Sequence, residues 1–131
     1  MHTEDPAIGV PTKSSIERVY IREIIHFSES DSGTRIKLAN GKTINSISHL
    51  TLFENAVAQY SFFKVNKFCL VNLYHIRNLQ RGTDQLNLSD QSTIEIAPKR
   101  KTEIKRMLFS CPLIHLVKKA EDKRELKKMA S

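Results

Sequence analysis

Residues 35–45 read RIKLANGKTIN, and this stretch predicts an antiparallel β-hairpin. On each side of Asn40-Gly41, apolar side chains alternate with polar ones, which is the pattern of a half-buried strand. Asn-Gly between two such runs is the strongest short signal for a hairpin, because a type I′ turn requires positive φ at both central residues. We therefore expect strands at residues 35–38 and 42–45, joined by a type I′ turn at Asn40 and Gly41.

Short runs rich in β-branched and aromatic residues continue the strand pattern on both sides of this hairpin. Upstream they are residues 19–21 and 24–27, followed by a polar loop at 28–34. Downstream they are residues 61–66, 68–71, 76–79, 85–88 and 93–96. Since no helix separates most of these strands, the sheets should be antiparallel, and the predicted fold class is mostly β.

One short helix is expected inside this series of strands, at residues 50–60. The apolar side chains that share one helical face are Leu50, Phe53, Val57 and Tyr60. The start of the helix has two candidate signals, a capping box formed by Thr51 and Glu54 or a cap at Ser48.

The C-terminal part changes from strand to helix after Pro98. Helical spacing begins at Thr102, Pro112 interrupts it, and a second, densely charged helical stretch follows at residues 113–129. We divide the chain into a flexible N-terminal segment at residues 1–10, one domain at 11–108 and a basic helical tail at 109–131.

The formal net charge of +7 is concentrated at the C-terminal end of the chain. Residues 99–131 hold eleven of the 21 Lys and Arg but only four of the 14 Asp and Glu, so the remaining charges cancel. A basic segment of this kind favours a polyanion, either nucleic acid or an anionic membrane surface. The alternative of a solvated helix face that binds nothing stays open on charge alone.

Signals for catalysis, cofactors and metals are missing from the sequence. The four glycines are scattered, no Gly-x-Ser-x-Gly elbow occurs, and the five histidines have no metal-ligand spacing. His26 and His75 lie in apolar strands and are interpreted as structural histidines. We therefore predict that the protein is not an enzyme and has no catalytic residues, cofactor or metal.

The compartment is predicted to be the cytoplasm. No apolar run approaches the roughly 18 residues of a membrane span, and the N-terminus lacks the pattern of a secretory signal. Cys69 and Cys111 lie in apolar surroundings, where buried free thiols are the usual interpretation. A disulfide between them would need an oxidising compartment, which nothing else in the sequence indicates.

Residues 62–76 read FFKVNKFCLVNLYHI and resemble the signature of the LytTR DNA-binding domains. The order of the surrounding features is also similar to that family. It has an Ile-Ile-x-Phe strand, a variable loop, the Asn-Gly hairpin and a helix upstream, and a hairpin, basic stretch and helix downstream. The resemblance spans about Pro11 to Leu108. At positions 66–68 the family often has His-Arg-Ser, whereas this chain has Asn-Lys-Phe.

The resemblance implies an elongated antiparallel β fold with one short internal helix and a C-terminal helical tail. It also implies a bacterial transcription regulator, such as a response regulator output domain, whose loops at one edge enter successive major grooves of double-stranded DNA. The family's contacts carry over to Arg35 in the loop at 30–35, to Asn66 and Lys67, and to Lys99 with its neighbours Arg100 and Lys101. Such side chains can donate to phosphate or guanine, and Asn can pair with adenine.

Several alternatives remain open at this point. Asn66 could instead satisfy local backbone groups, and Lys67 could be a solvated edge lysine. The basic C-terminal helix could serve a protein-interaction or dimerisation module, and RNA binding is a third reading. We expect DNA as the partner, with a homodimer on DNA left open, and neither a membrane nor a small-molecule substrate.

Family members often carry an input domain ahead of this one, for which the residues before 11 leave no room. The chain is therefore a stand-alone regulator or a piece of a longer one.

Overall fold

The structure is a computed structural model that describes residues 5–110. Within this range the chain forms ten strands and two α-helices. They are β1 (Ala7–Pro11), β2 (Ile16–Tyr20), β3 (Ile24–Ser30), β4 (Gly33–Leu38), β5 (Thr43–Ser46), α1 (Leu50–Ala56), β6 (Phe62–Asn66), β7 (Cys69–Asn72), β8 (Ile76–Leu79), β9 (Gln85–Leu88), β10 (Thr93–Glu95) and α2 (Lys101–Ser110). Short 3₁₀ turns precede β3, β8 and α2. The predicted fold class is confirmed.

The strands form three antiparallel sheets. The largest has five strands in the order β5-β4-β3-β7-β6, and β8, β9 and β10 form a three-stranded sheet with β9 in the middle. β1 and β2 form a separate hairpin. In the five-stranded sheet, β3, β4 and β5 pair in chain order, β6 pairs with β7, and β7 returns beside β3. The two edges of this sheet are therefore β5 and β6.

The five-stranded sheet has a hydrophobic core on each face. Neighbouring residues along a strand point to opposite faces, so Leu70 lies in the first core and Val71 in the second. The first core joins the sheet to α1 and to the β1–β2 hairpin, with Phe27 stacked on Phe53 at 5.1 Å between ring centroids. The second core joins the sheet to the three-stranded sheet and to α2 through buried Ile104.

The predicted hairpin forms, but its turn is not type I′. Gly41 has a φ of +92°, whereas Asn40 is not among the residues with positive φ. The Leu38 N–H donates to the Lys42 carbonyl at 2.9 Å, and the Gly41 N–H donates to the Leu38 carbonyl at 3.0 Å. The connection is therefore a three-residue loop in which a tight turn is followed by a residue in the left-handed region. The Asn40 side chain closes the loop by accepting from the Lys42 N–H at 2.8 Å.

The β9–β10 hairpin uses the same loop without a glycine. Gln91 has a φ of +72°, and the N–H of this residue donates to the Leu88 carbonyl at 2.9 Å. The left-handed region destabilises the folded state by roughly 1–2 kcal/mol at an L residue. Glycine adopts it without this strain but loses more backbone entropy on folding. Gln91→Gly is expected to raise the free energy of unfolding by about 0.5–1 kcal/mol, measured by urea denaturation. Gln85→Gly, inside strand β9, should lower it instead.

Two expectations about the N-terminal half were wrong in their boundaries. Residues 7–10, expected in the flexible segment, belong to β1, where Val10 is fully buried in the first core. Residues 28–34, expected to be a loop, are mostly strand, because β3 continues to Ser30 and pairs it with Gly33. The turn between β3 and β4 therefore contains only two residues, 31 and 32. The polar residues at the end of β3 and the start of β4 have the composition of a loop, so the sequence did not indicate that these positions belong to strands.

The internal helix is shorter than expected and begins without a side-chain cap. α1 ends at Ala56, and the chain to Tyr60 continues through tight turns. His49 is the N-cap, and its side chain makes no capping hydrogen bond. Ser48 precedes the N-cap, and its carbonyl accepts from the Thr34 hydroxyl at 2.8 Å. The predicted caps at Thr51 and Ser48 were therefore wrong, while the apolar face of the helix is buried at Leu50 and Phe53.

The predicted tail is described only at its beginning. α2 runs to Ser110, so helix continues two residues past the expected domain boundary at 108. The predicted helix at 113–129 and Cys111 lie outside the described residues.

Candidate nucleic-acid interface

Three connecting segments meet at one end of the five-stranded sheet. The β3–β4 turn lies beside the β6–β7 turn, because the Glu29 N–H donates to the Phe68 carbonyl at 2.8 Å. The segment after β10 joins the same end, since the Ala97 N–H donates to the Val65 carbonyl at 2.9 Å. We call this end, formed by residues 28–35, 66–69 and 95–100, the loop end of the sheet.

A single row of side chains crosses the sheet at the loop end. Arg35 pairs with Ser28, which pairs with Cys69, which pairs with Asn66, all in antiparallel register. Paired residues in a regular ladder point to the same face, so Arg35, Ser28 and Cys69 share one face of the sheet. The register is irregular between Lys64 and Asn66, but the bond of Asn66 to Glu95 of the three-stranded sheet, which covers that face, places its side chain there as well. Neighbouring strands are about 4.8 Å apart, which puts the backbones of Arg35 and Asn66 roughly 14 Å from each other.

Asn66 has a fixed side-chain orientation. Its Nδ2 donates to the Glu95 carbonyl at 2.7 Å, and its Oδ1 accepts from the Phe68 N–H at 2.8 Å. The side chain therefore ties the β6–β7 turn to the end of β10, as the backbone-satisfying alternative expected. An amide has two N–H groups and two oxygen lone pairs. Because the Asn66 side chain is also hydrogen-bonded to the Cys69 thiol, only part of this capacity remains available to a further partner.

Lys67 and Phe68 form the β6–β7 turn and are both exposed. The Lys67 Nζ lies 5.4 Å from the centroid of the Phe68 ring, within the range of a cation–π contact. The two side chains thus lie together on the exposed turn between β6 and β7. The sequence singled out Lys67, and it placed Phe68 in a strand at 68–71 as a departure from the family pattern. The structure begins β7 at Cys69 and leaves Phe68 in the turn.

Lys99 lies in the 3₁₀ turn Pro98–Arg100 and is exposed. The chain reaches this turn directly from Ala97, which is hydrogen-bonded to β6 one residue before Asn66. The structure therefore brings Lys99 to the same end of the sheet as Asn66 and Lys67. Arg35 joins them through the row across the sheet.

Arg100 and Lys101 differ from these residues because both are half-buried and engaged within the protein. The Arg100 guanidinium lies 5.4 Å above the Phe63 ring and 3.6 Å from the Glu103 carboxylate. The Lys101 Nζ is 3.0 Å from the Asp84 carboxylate. Their cations are thus partly neutralised inside the chain, whereas those of Arg35, Lys67 and Lys99 extend into solvent.

Asn45 was missed by the sequence analysis. It pairs with Arg35 on the edge strand β5, is exposed, and extends the polar row by one strand. The signal that could have found it is the register of the hairpin, since a three-residue loop places residue 45 opposite residue 35.

Two titratable groups in or beside the loop end, His26 and Cys69, have pKa values shifted by burial towards the uncharged form. Burial lowers the pKa of His26, with a smaller opposing effect from the Asp90 carboxylate, so the ring is mostly neutral at pH 7. His26 Nδ1 is buried and has no hydrogen-bond partner among the described residues. Burial raises the pKa of Cys69, which keeps this free thiol protonated. Residues 28–35, 66–69 and 95–100 hold four Arg or Lys and three Asp or Glu, so the net positive charge of this end is small and comes from its Arg and Lys side chains.

Other kinds of site receive no support within the described range. Residues 5–110 contain no group of three or more His, Cys, Asp or Glu side chains that could hold a metal ion. No helix in the described part of the chain is long and apolar enough to cross a membrane. Two shallow surface pockets, beside the β1–β2 hairpin and beside α1, hold no residue of the loop end.

Comparison with known proteins identifies the fold and the family. A comparison with curated proteins found no match. Among solved structures, the chain is similar to one described as the LytTr DNA-binding domain of a protein named as a methyl-accepting/DNA response regulator from Bacillus cereus. The two share 16% sequence identity with a TM-score of 0.66, over 80% of this chain and 98% of that one, which shows the same fold. The model of the LytTr DNA-binding domain matches residues 14–109. Because this match covers more than half of the sequence, the chain belongs to the LytTR family of DNA-binding domains.

Proposed function

We propose that this domain recognises a specific sequence of duplex DNA with the loop end of its five-stranded sheet, as part of a bacterial transcription regulator. LytTR is a DNA-binding domain and not a catalytic fold. The observation that carries the proposal is the gathering of three exposed cations at one end of the sheet. They are Arg35 of β4, Lys67 of the β6–β7 turn and Lys99 of the segment after β10. A single duplex can meet all three.

The spacing of these groups suits a major groove and its two phosphate borders. The groove is about 12 Å wide, and the row from Arg35 to Asn66 spans roughly 14 Å at the backbone. We infer that the β6–β7 turn enters the groove, while Arg35 reaches the opposite border or a guanine near it. An Arg guanidinium can bind guanine O6 and N7 with two hydrogen bonds.

Each side chain has a distinct proposed partner. Lys67 and Lys99 donate to phosphate oxygens, which sets the position of the domain on the duplex. Asn66 contacts the edge of an adenine with the hydrogen-bonding capacity that its bonds to Glu95, Phe68 and Cys69 leave. Arg100 and Lys101 add phosphate contacts only if they exchange Glu103 and Asp84 for DNA, so their contributions are secondary.

Selection from a library of random duplexes tests this function. The chain is expected to enrich one sequence motif, and Arg35→Ala should reduce affinity for that motif while α-helix and β-sheet signals in circular dichroism stay unchanged. A folded protein that enriches no motif contradicts sequence-specific binding.

Localisation in the cytoplasm follows as part of the proposal, since bacterial DNA is there. Assembly through the basic tail at 109–131 is the alternative function, and most of that segment lies outside the described residues. Deleting residues 113–131 separates the two, because loss of self-association with unchanged DNA affinity would assign the tail to assembly.

A further inference from the structure

Phe68 is an exposed aromatic residue at the loop end. Its side chain is 52% exposed. Five phenylalanine side chains lie in the part of the chain that the structure describes, and the other four pack in or against the first and second cores. A phenylalanine that folding leaves half exposed on a turn retains apolar surface that a partner can cover.

The backbone of Phe68 is held on both sides. Its N–H donates to the Asn66 side chain at 2.8 Å, and its carbonyl accepts from the Glu29 N–H at 2.8 Å. Both of its backbone hydrogen-bonding groups are therefore satisfied within the protein, and the exposure of the ring does not come from a frayed loop. The ring is presented in a defined place beside Lys67.

The major groove offers such a ring one kind of apolar partner. Base edges there carry hydrogen-bond donors and acceptors, and the only hydrocarbon group is the C5-methyl of thymine, which Phe is known to contact. Lys67 beside the ring supplies a cation for a neighbouring phosphate or guanine. Together the two side chains match a site that has a methyl group next to a negative group.

We propose that Phe68 is a specificity-determining residue whose ring contacts the C5-methyl of a thymine in the recognised DNA. This inference rests on the proposed function. It assigns the base preference at one position to an apolar contact, with Asn66 acting as the residue that positions the ring.

Replacing thymine by deoxyuridine tests the contact atom by atom, since this change removes the methyl group and leaves every hydrogen bond of the base in place. In the selected duplex, each thymine is replaced in turn, and affinity is measured by fluorescence anisotropy. One replacement is expected to weaken binding by the wild-type chain about fourfold, the value of one buried methyl group. Phe68→Ala should bind both duplexes equally, and Phe68→Leu should keep part of the preference.

Tyr74→Ala is the matched control, because Tyr74 is exposed to nearly the same extent and lies at the opposite end of β7. It should retain the fourfold difference. Equal thymine preference in wild type and Phe68→Ala overturns the proposal while leaving DNA binding intact. The proposal is also overturned if Phe68→Ala loses the same affinity for the thymine duplex and for every deoxyuridine duplex. Such a result would indicate that the ring is inserted between bases. Absence of any selected motif removes the proposed function itself.

Discussion

Gly33→Ala is expected to lower the free energy of unfolding by about 2–6 kcal/mol, which is enough to unfold a domain of marginal stability. Gly33 is buried at the start of β4 with a φ of +151°, a conformation that L side chains rarely adopt. A Cβ at this position would overlap the Ser46 carbonyl oxygen and lie 3.0 Å from the Ile47 carbonyl carbon. Both atoms belong to the backbone of the neighbouring chain segment, so the sheet itself would have to shift. Urea denaturation followed by circular dichroism measures the effect.

Gly82→Ala separates the clash from the strain. Gly82 also has positive φ, at +76°, but an added Cβ would have no neighbour within 4 Å. We expect this variant to cost about 1 kcal/mol, from backbone strain alone. A cost for Gly33→Ala no greater than that for Gly82→Ala would contradict the close approach of β4 and β5 at the loop end.

Phe27→Ala is expected to cost about 3–5 kcal/mol, the usual range for removing a fully buried aromatic side chain. Phe27 is inaccessible to solvent and stacks on Phe53 of α1, with the Phe62 ring 5.6 Å away on β6. Its removal leaves a cavity between the sheet and α1 that backbone atoms on both sides cannot close. The measurement is the urea midpoint at an unchanged slope of unfolding free energy against urea.

Leu52→Ala is the control for Phe27→Ala, since Leu52 lies on the exposed side of the same helix. It should change the free energy of unfolding by less than about 0.5 kcal/mol. A Phe27→Ala cost that small would mean that α1 does not pack on the sheet as described.

The family and the fold class could be predicted from the sequence because several local signals agree. The hairpin at residues 35–45, the apolar run at 68–71 and the aromatic pair at 62–63 each specify a strand with one or two buried faces, and their order matches the family. The model of the family and the similarity in fold confirm this prediction.

The turn type of the hairpin was wrong although the sequence held the information to correct it. A two-residue type I′ loop would place Ile36 opposite Asn45, whereas the observed loop of three residues places Ile36 opposite Ile44. Since both isoleucines face the first core, hydrophobic register decided the loop, and the local preference of Asn-Gly did not.

The site residues could be predicted only as a set of positions. Sequence order says nothing about the bond from Asn66 to Glu95, which joins residues 29 positions apart, or about the neutralisation of Lys101 by Asp84. Such features depend on how the three-stranded sheet docks on β6. For the same reason the exposure of Phe68 could not be foreseen, because an apolar residue between two apolar strands is usually buried.

The dependence of DNA affinity on salt tests most directly whether the loop end meets the duplex. Each phosphate contact contributes about 0.9 to the slope of log affinity against log salt concentration. Lys67→Ala and Lys99→Ala should each reduce the size of that slope by about one. Lys42→Ala should leave it unchanged, because Lys42 is an exposed lysine in the loop at the opposite end of β4. Equal slopes for wild type, Lys67→Ala and Lys99→Ala, or a loss confined to Lys42→Ala, would contradict the account.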